Sequence, residues 1–399
     1  MLSIIIILVA LGAGSFLAFS PRLRGSSSWQ AMVTPLASIM GSGFLVSAPL
    51  LGGTVGTLAL PCMAGLLLLA FGVGSAIRFN IRHFEPIEHD GHGPAQSIAF
   101  LSRIVLAAAY FISVSYYLQL LAAFVGSAVG VTSPVLTNLF STALLVLIGG
   151  IGIWRGLGML ERLEKYAVAL NLGMIAALLV ALAIHNGMLF SHGSWKLPEV
   201  ESTIDWGDFR ILLGLLIVVQ GFETSRYLGD THSAEERVAT MRLAQLVSAD
   251  IYLVFLALVT VLFHDGLGSD VTAIVELTRP VAVALPALIA IAAVGSQFSA
   301  AVADNEGAGG LLSEITHCKV DTRHAYALIL VVTVALTWGT DVNGIIAYAS
   351  RAFALYYTLQ CVVALLVAKQ NQAGARRMTL FATLALLCLL VFSLGLPAE

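Results

Sequence analysis

Two glycine-containing stretches interrupt long apolar runs of the chain. The first is Gly41-Ser42-Gly43, flanked by Pro35 and Pro49, and the second is Gln220-Gly221-Phe222-Glu223. An unwound helix exposes N–H groups at one helix start and C=O groups at one helix end, and these groups can hold an anionic group and a cation. Such interruptions in both halves of a membrane protein indicate a binding site near the bilayer midplane. Glycine also lets membrane helices pack closely, so this second interpretation stays open.

Four ionisable residues, Arg103, Glu223, Asp250 and Arg351, fall within apolar runs and are predicted to serve coupling or gating. A charge at the centre of a membrane helix costs about 2.5–3.5 kcal/mol, so each is expected to face the bundle interior. Glu223 either orders the unwound backbone and binds a proton or caps loose N–H groups. Asp250 is either a proton-binding site or the buried partner of Arg103.

The densest cluster of metal-type ligands is the loop His83-Phe84-Glu85-Pro86-Ile87-Glu88-His89-Asp90-Gly91-His92. A mixed histidine and carboxylate set can bind zinc or iron, which motivates an alternative hypothesis of a membrane-embedded metalloenzyme. The spacing matches no known metal motif, and a polar loop is expected here in any case. The four cysteines lie far apart and are interpreted as core thiols.

The elements that must position these residues are membrane helices. Hydrophobic residues make up 58% of the chain and charged residues only 11%, far from the composition of a soluble domain, and the mean hydropathy is +0.93. Long continuous apolar runs favour a helical bundle over a β-barrel. The sequence therefore predicts an all-α integral membrane protein, with residues 1–399 forming one transmembrane domain of about 12 helices. The predicted spans are 2–20, 30–52, 54–77, 97–128, 134–153, 163–184, 209–229, 240–263, 281–303, 323–338, 343–368 and 378–396.

The basic residues predict the orientation of these spans. If Arg22 and Arg24 are cytoplasmic, most of the 20 Lys and Arg residues fall on the inner side. Only Lys196, Arg210 and Arg279 fall on the outer side. Because cytoplasmic loops are enriched in Lys and Arg, we expect both termini to lie outside, in what is predicted to be a bacterial cytoplasmic membrane.

The two interruptions resemble those of a known family. Ile39-Met40-Gly41-Ser42-Gly43-Phe44 followed by Pro49 is similar to the broken first core helix of the amino acid–polyamine–organocation (APC) superfamily. Gln220-Gly221-Phe222-Glu223 resembles the motif of its broken sixth core helix. Weaker similarities are found from Arg155-Gly156 to Lys165 and from Ser299 to Leu311, where Asp304-Asn305-Glu306-Gly307 stands in place of the family's basic turn.

The resemblance implies a LeuT-like bundle of two inverted five-helix repeats, 30–184 and 209–368, with one extra helix at each end, 2–20 and 378–396. It also implies secondary active transport of a small organic solute, commonly an amino acid, by alternating access and without enzymatic activity. The two stretches from Gly41 to Gly43 and from Gln220 to Glu223 would then bind the substrate.

The same resemblance assigns further roles. Ser296 and Ser299 share one helix face, and in sodium-coupled members hydroxyls here bind the ion, so a sodium site competes with proton coupling. Arg351 would form a salt bridge at the outer gate. No resident cofactor is expected, the partners are a small-molecule substrate and the lipid bilayer rather than nucleic acid, and the oligomeric state is left open. A metal-transporting branch of this fold carries Asp-Pro-Gly and Met-Pro-His at the two breaks, and neither occurs here. An uncoupled channel or a sensor on the same fold is a further alternative.

Overall fold

The computed structural model describes residues 2–88, 93–130, 133–155, 158–229, 231–317 and 319–398, with the side chains of Ser42, 155–165 and Thr322 left aside. Every regular element within these residues is helical. Short helices also occur at Pro21–Arg24 and Ile274–Leu277. The main helices are α1 (Leu2–Phe19), α2 (Ser27–Val55), α3 (Ala59–His83), α4 (Pro94–Ala128), α5 (Pro134–Arg155), α6 (Gly158–Ser191), α7 (Trp206–Gly214), α8 (Ala234–Val259), α9 (Leu285–Ile315), α10 (Thr322–Gly339), α11 (Val342–Gln370) and α12 (Ala375–Leu394).

The protein is an integral membrane protein. Nine helical stretches of the described residues are long and apolar enough to cross a bilayer, and one of these, Ser27–His83, contains both α2 and α3. Each of the predicted spans overlaps a helix, and the span 209–229 covers most of α7 together with the two 3₁₀ turns that follow it. The predicted apolar segments therefore coincide with helical parts of the chain, with ends that shift by several residues, and the number of about 12 membrane crossings stays a prediction.

Helix packing brings α4, α9 and α11 together at the centre of the bundle. Helix α4 packs against both α9 and α11, and α9 also packs against α6. Helix α2 packs against α8 and against the 3₁₀ turns that follow α7, while α1 and α12 lie on α6 and α11 respectively. The segment after α7 is consequently surrounded by helices.

The predicted interruption at Gly41-Ser42-Gly43 is wrong, because α2 is continuously helical from Ser27 to Val55. The glycines permit close packing instead. A Cβ atom at Gly41 would lie 3.5 Å from the Ser296 hydroxyl of α9, and one at Gly43 would lie 2.7 Å from the Cα atom of Val218. The absence of side chains at these positions therefore lets neighbouring backbones approach α2, as is common in membrane helices.

The interruption predicted around Gly221 is present. After α7 the chain forms a 3₁₀ turn over Leu216–Val219, passes through Gln220 and Gly221, and forms a second 3₁₀ turn over Phe222–Leu228. Gly221 has a φ of +114°, in the left-handed region that glycine adopts without strain. Residues 215–228 are named the interrupted segment below.

The predicted turn at Asp304-Asn305-Glu306-Gly307 is wrong as well. These residues lie within α9, which continues to Ile315. Helical phase explains the difference, since Gln297, Ala301, Asp304 and Ala308 recur at intervals of three to four residues and are all buried. Asp304 is therefore a buried carboxylate in the bundle.

Candidate functional site

Side chains from neighbouring helices bind the backbone of the interrupted segment. The N–H of Ile217 donates to the Ser350 hydroxyl at 2.9 Å, and the Tyr252 hydroxyl donates to the carbonyl of Val218. Backbone groups within a bilayer need internal partners, because no water is available there. Residues of α8 and α11 thus replace the helical hydrogen bonds that the segment lacks.

The interrupted segment and α2 meet with little space between their backbones. A Cβ atom at Gly221 would lie 2.5 Å from the Ser38 hydroxyl and 2.8 Å from the backbone nitrogen of Ile39. The Tyr252 hydroxyl also donates to the Ile39 carbonyl at 3.2 Å, and so contacts both chain segments. The two glycine-containing stretches predicted to form one site are therefore adjacent in the fold.

Glu223 is the carboxylate of the interrupted segment and is fully buried. Its Oε2 atom accepts from the N–H of Gly221 at 3.0 Å and from the Tyr357 hydroxyl at 2.8 Å. Its Oε1 atom is buried without a hydrogen-bond partner among the described residues. The ring of Tyr357 stacks on Phe222, with centroids 5.2 Å apart. Glu223 thus caps the backbone at the break through one oxygen and leaves the other oxygen open to a further donor.

Helix α4 contributes aromatic and hydroxyl groups to this region. The Gln220 side chain donates to the Tyr117 hydroxyl at 2.9 Å, and the Ser113 hydroxyl donates to the Asp304 carboxylate. The Tyr110 ring contacts Phe353 with centroids 6.0 Å apart, and Phe353 in turn contacts Tyr357, the residue whose hydroxyl donates to Glu223. Two acidic groups therefore share a tyrosine-lined interior, one on the interrupted segment and one on α9.

Sequence reasoning missed several residues of this site. Asp304 was assigned to a turn, and the roles of Tyr252, Tyr357 and Gln297 were not predicted. The signal for Asp304 was its helical spacing from Gln297 and Ala301 on α9. The others carry no motif of their own, because they act through hydroxyl and amide contacts set by the packing of distant helices.

Ser296 and Ser299, the proposed sodium ligands, are both buried on α9. Ser296 faces Gly41, whose carbonyl accepts a hydrogen bond from the Gln297 amide at 3.1 Å. The sodium hypothesis expected carbonyls of this stretch to coordinate the cation, but the Gly41 carbonyl accepts a hydrogen bond from the Gln297 side chain instead. The side chain of Ser42 lies outside the described residues.

Asp250 and Arg351 do not have the partners that the sequence analysis predicted. Asp250 is exposed on α8 instead of facing the interior, so the pairing with Arg103 is wrong. The buried stripe of α8 passes through Ser248 and Tyr252. Asp250 is two residues from each and hence on the opposite face. Arg351 donates from Nε to the carbonyl of Phe392 at 2.7 Å, so α12 supplies a partner in place of the predicted gate carboxylate.

Ion pairs join the helix ends on the side predicted to be cytoplasmic. Arg226, at the end of the interrupted segment, binds Glu88 at 3.1 Å, and Arg237 binds Glu85 at 2.6 Å. Arg103 pairs with Glu314, and its guanidinium also lies 3.8 Å from Glu88. Arg226 is 7% exposed, so this network fastens the interrupted segment to the loop after α3 in a largely buried setting. We name these residues the cytoplasmic ion network.

The same pairs bear on the predicted metal loop. Its carboxylates Glu85 and Glu88 are bound to arginines, and the His83 ring packs on Phe79 with centroids 4.4 Å apart. No group of three histidine, cysteine or acidic side chains with metal-binding geometry occurs within the described residues. His89, Asp90 and His92 lie outside those residues, as does part of the stretch from Arg155-Gly156 to Lys165.

Comparison with known sequences gives two findings. A family model described as an APC superfamily transporter matches residues 21–395. An uncharacterized protein of Aquifex aeolicus (strain VF5) is 43% identical over 360 residues, which cover 88% of this chain and 87% of that protein.

Comparison with solved structures gives matches that include a manganese transporter. Two structures of the Eremococcus coleocola manganese transporter, each of a different point mutant, superpose on this chain with a TM-score of 0.60 at 12% identity. The same transporter in complex with an aromatic bis-isothiourea substituted compound superposes with a TM-score of 0.56 at 13% identity. The matches cover 94% of this chain and 87% of that one, so the similarity concerns the fold of nearly the whole protein.

Proposed function

The chain belongs to the APC superfamily of transporters, and from this premise we propose that it is a secondary active transporter of a small organic solute that carries an ammonium group, such as an amino acid or an amine. The solute binds beside the interrupted segment, and this binding site opens to one side of the membrane at a time. The observation that carries the proposal is the buried Glu223 carboxylate, whose Oε1 atom has no partner among the described residues.

The electrostatics of the interior support a cationic group on the substrate. A buried carboxylate oxygen without a hydrogen-bond partner is unfavourable, and a positively charged donor stabilises it. Asp304 adds a second buried acidic group, which accepts a hydrogen bond from Ser113 on the helix that also carries Tyr117. A solute ammonium placed between them would satisfy Glu223 and reduce the negative charge of the site.

If the solute also has a carboxylate, that group requires a hydrogen-bond donor in the site. Exposed backbone N–H groups of the two glycine stretches were predicted to bind an anionic group, but the N–H of Gly221 donates to Glu223. Rotation of the Glu223 side chain toward a substrate ammonium would release the Gly221 N–H for the substrate carboxylate. The two groups of an amino acid would in this way replace one internal hydrogen bond.

For coupling, we propose that a proton exchanges at Glu223 when the solute is absent. A buried carboxyl group without a cation is more stable in its neutral form. The hydrogen bond from Gln297 to the Gly41 carbonyl supports a proton over a sodium ion at Ser296 and Ser299. Coupling to a sodium ion is the alternative, and the uptake experiment below compares the two gradients.

Helix contacts support an arrangement of two inverted five-helix repeats. The first repeat would consist of α2, α3, α4, α5 and α6. The second would consist of α7 with the interrupted segment, then α8, α9, α10 and α11. When the two series are matched in this order, several helix contacts of one repeat correspond to helix contacts of the other. The contact of α4 with α11 corresponds to that of α9 with α6, and the contact of α2 with α8 corresponds to that of the interrupted segment with α3. The contacts of α3 with α11 and of α6 with α8 correspond in the same way. With α1 and α12 added outside, twelve segments would cross the cytoplasmic membrane and both termini would lie outside.

Proteoliposome uptake tests this function. Purified protein is reconstituted and offered radiolabelled amino acids, amines, organic anions and manganese, with an imposed proton or sodium gradient. We expect uptake of at least one solute with an ammonium group, driven by a proton gradient. Uptake of manganese and of no organic solute would contradict the proposal, because the substrate would then be the one named for the structural neighbour. Flux that does not depend on any gradient would favour a channel.

A further inference from the structure

A basic cavity lies on the outside of the bundle, away from the interrupted segment. It has a volume of about 630 Å³ and is formed by α3, α8 and α12. Its polar lining consists of Ser75, Arg78, Arg82, His83, Arg242 and Arg377. Four arginines thus converge on one cavity, at the ends of helices that the charge distribution predicts to be cytoplasmic.

Within the part of the chain that the structure describes, only one of the four arginines forms an ion pair. Arg82 pairs with Glu235 at 2.7 Å in an exposed ion pair. Arg78, which is mostly buried, binds the Gln245 side chain and the carbonyl of Phe71 at 3.4 Å, so its described partners are uncharged. Arg242 and Arg82 line the same cavity as Arg78. Such a like-charge cluster is unfavourable unless an anion joins it.

Exposed leucines line the cavity next to its arginines, farther along α8 and α12. Leu243 and Leu246 follow Arg242 on α8 and are 49% and 47% exposed, and Leu380 follows Arg377 on α12 and is 45% exposed. Moving into the membrane along either helix, basic side chains come first and exposed leucines next. A phospholipid has this order of groups, with its phosphate at the interface and its acyl chains beyond.

From this geometry we propose that the cavity between α3, α8 and α12 binds the headgroup of an anionic phospholipid of the cytoplasmic leaflet. Basic pockets between membrane helices on the cytoplasmic side recognise such headgroups, and positive charges inside a membrane helix require an anionic partner or water. The exposed leucines contact the acyl chains, which a soluble anion lacks.

Native mass spectrometry of the full-length purified protein tests the lipid site. Delipidated protein is titrated with dioleoylphosphatidylglycerol and with dioleoylphosphatidylcholine, which carry the same acyl chains. The variant Arg242→Gln with Arg377→Gln removes two cavity charges at exposed positions. A matched control, Arg323→Gln with Arg376→Gln, removes two exposed charges that do not line the cavity.

The wild-type protein should bind the anionic lipid in preference to the zwitterionic one. Each cavity arginine lost should weaken binding about fivefold, and both together about 25-fold, whereas the control variant should bind like the wild type. Equal binding of both lipids, or an equal loss in the control variant, would overturn the proposal. Full displacement of the lipid by millimolar inorganic phosphate would also overturn it, since the site would then recognise a soluble anion.

Discussion

Replacing Gly221 with alanine should disrupt the contact between the interrupted segment and α2. The φ of +114° at Gly221 is strained for any L-residue, and the new Cβ atom would lie 2.7 Å from the carbonyl carbon of Ser38 and 2.8 Å from the backbone nitrogen of Ile39. Backbone strain of about 1–3 kcal/mol and overpacking of about 1–3 kcal/mol together give a destabilisation of about 2–6 kcal/mol. The overlap is with backbone atoms, which cannot move aside as a flexible side chain can.

Gly65→Ala provides the matched control. Gly65 lies in the interior of α3, and a Cβ atom there would have no neighbour within 4 Å. Unfolding in mixed detergent, followed by tryptophan fluorescence, should show a large loss of stability for Gly221→Ala and little change for Gly65→Ala. Equal stability of the two variants would refute the conclusion that backbone contact between α2 and the interrupted segment holds the site together.

Three further substitutions probe the surroundings of the site. Glu88→Gln removes a partner of the buried Arg226, which costs up to about 3–5 kcal/mol of stability. The cytoplasmic side should therefore open. A Ser102→Cys reporter in a cysteine-free background should then react faster with a membrane-impermeant thiol reagent, because Ser102 is buried in the closed protein. Unchanged labelling would argue against a closing role for the cytoplasmic ion network. Tyr117→Phe removes the acceptor of the Gln220 amide and should weaken substrate binding about tenfold, as expected for a lost buried hydrogen bond of about 1–1.5 kcal/mol; an unchanged binding constant would exclude Tyr117 from the site. Asp304→Asn should retain the hydrogen bond from α4 but lower the affinity for cationic solutes, which competition binding with a matched neutral solute would detect.

The sequence predicted the apolar segments and the break at Gly221 but could not distinguish a break from close packing at Gly41 and Gly43. Both structures need glycine, the first for its backbone freedom and the second for its missing side chain. What separates them is the presence of Ser296 on α9 and Val218 in the interrupted segment, 3.5 Å and 2.7 Å from where Cβ atoms would be. This information lies in the tertiary packing and not in the local motif.

Helical phase would have improved the predictions for the charged residues. Depth within an apolar run suggested that Asp250 is buried, yet it lies opposite the stripe through Ser248 and Tyr252. The same reasoning applied to α9 would have placed Asp304 on the buried face. The partners of Arg103 and Arg351 were beyond sequence reasoning, because Glu314 and the Phe392 carbonyl belong to distant parts of the chain.

The most direct test of the proposed function is the affinity of the Glu223→Gln variant for the solute that gives the strongest uptake. Equilibrium binding to the purified variant should be about 10–150-fold weaker than to the wild type, as a lost charged hydrogen bond of about 1.5–3 kcal/mol implies. The variant Glu201→Gln, which changes an exposed carboxylate, should bind like the wild type. Binding of an ammonium-bearing solute with unchanged affinity by Glu223→Gln would contradict the assignment of Glu223 as the substrate-binding carboxylate.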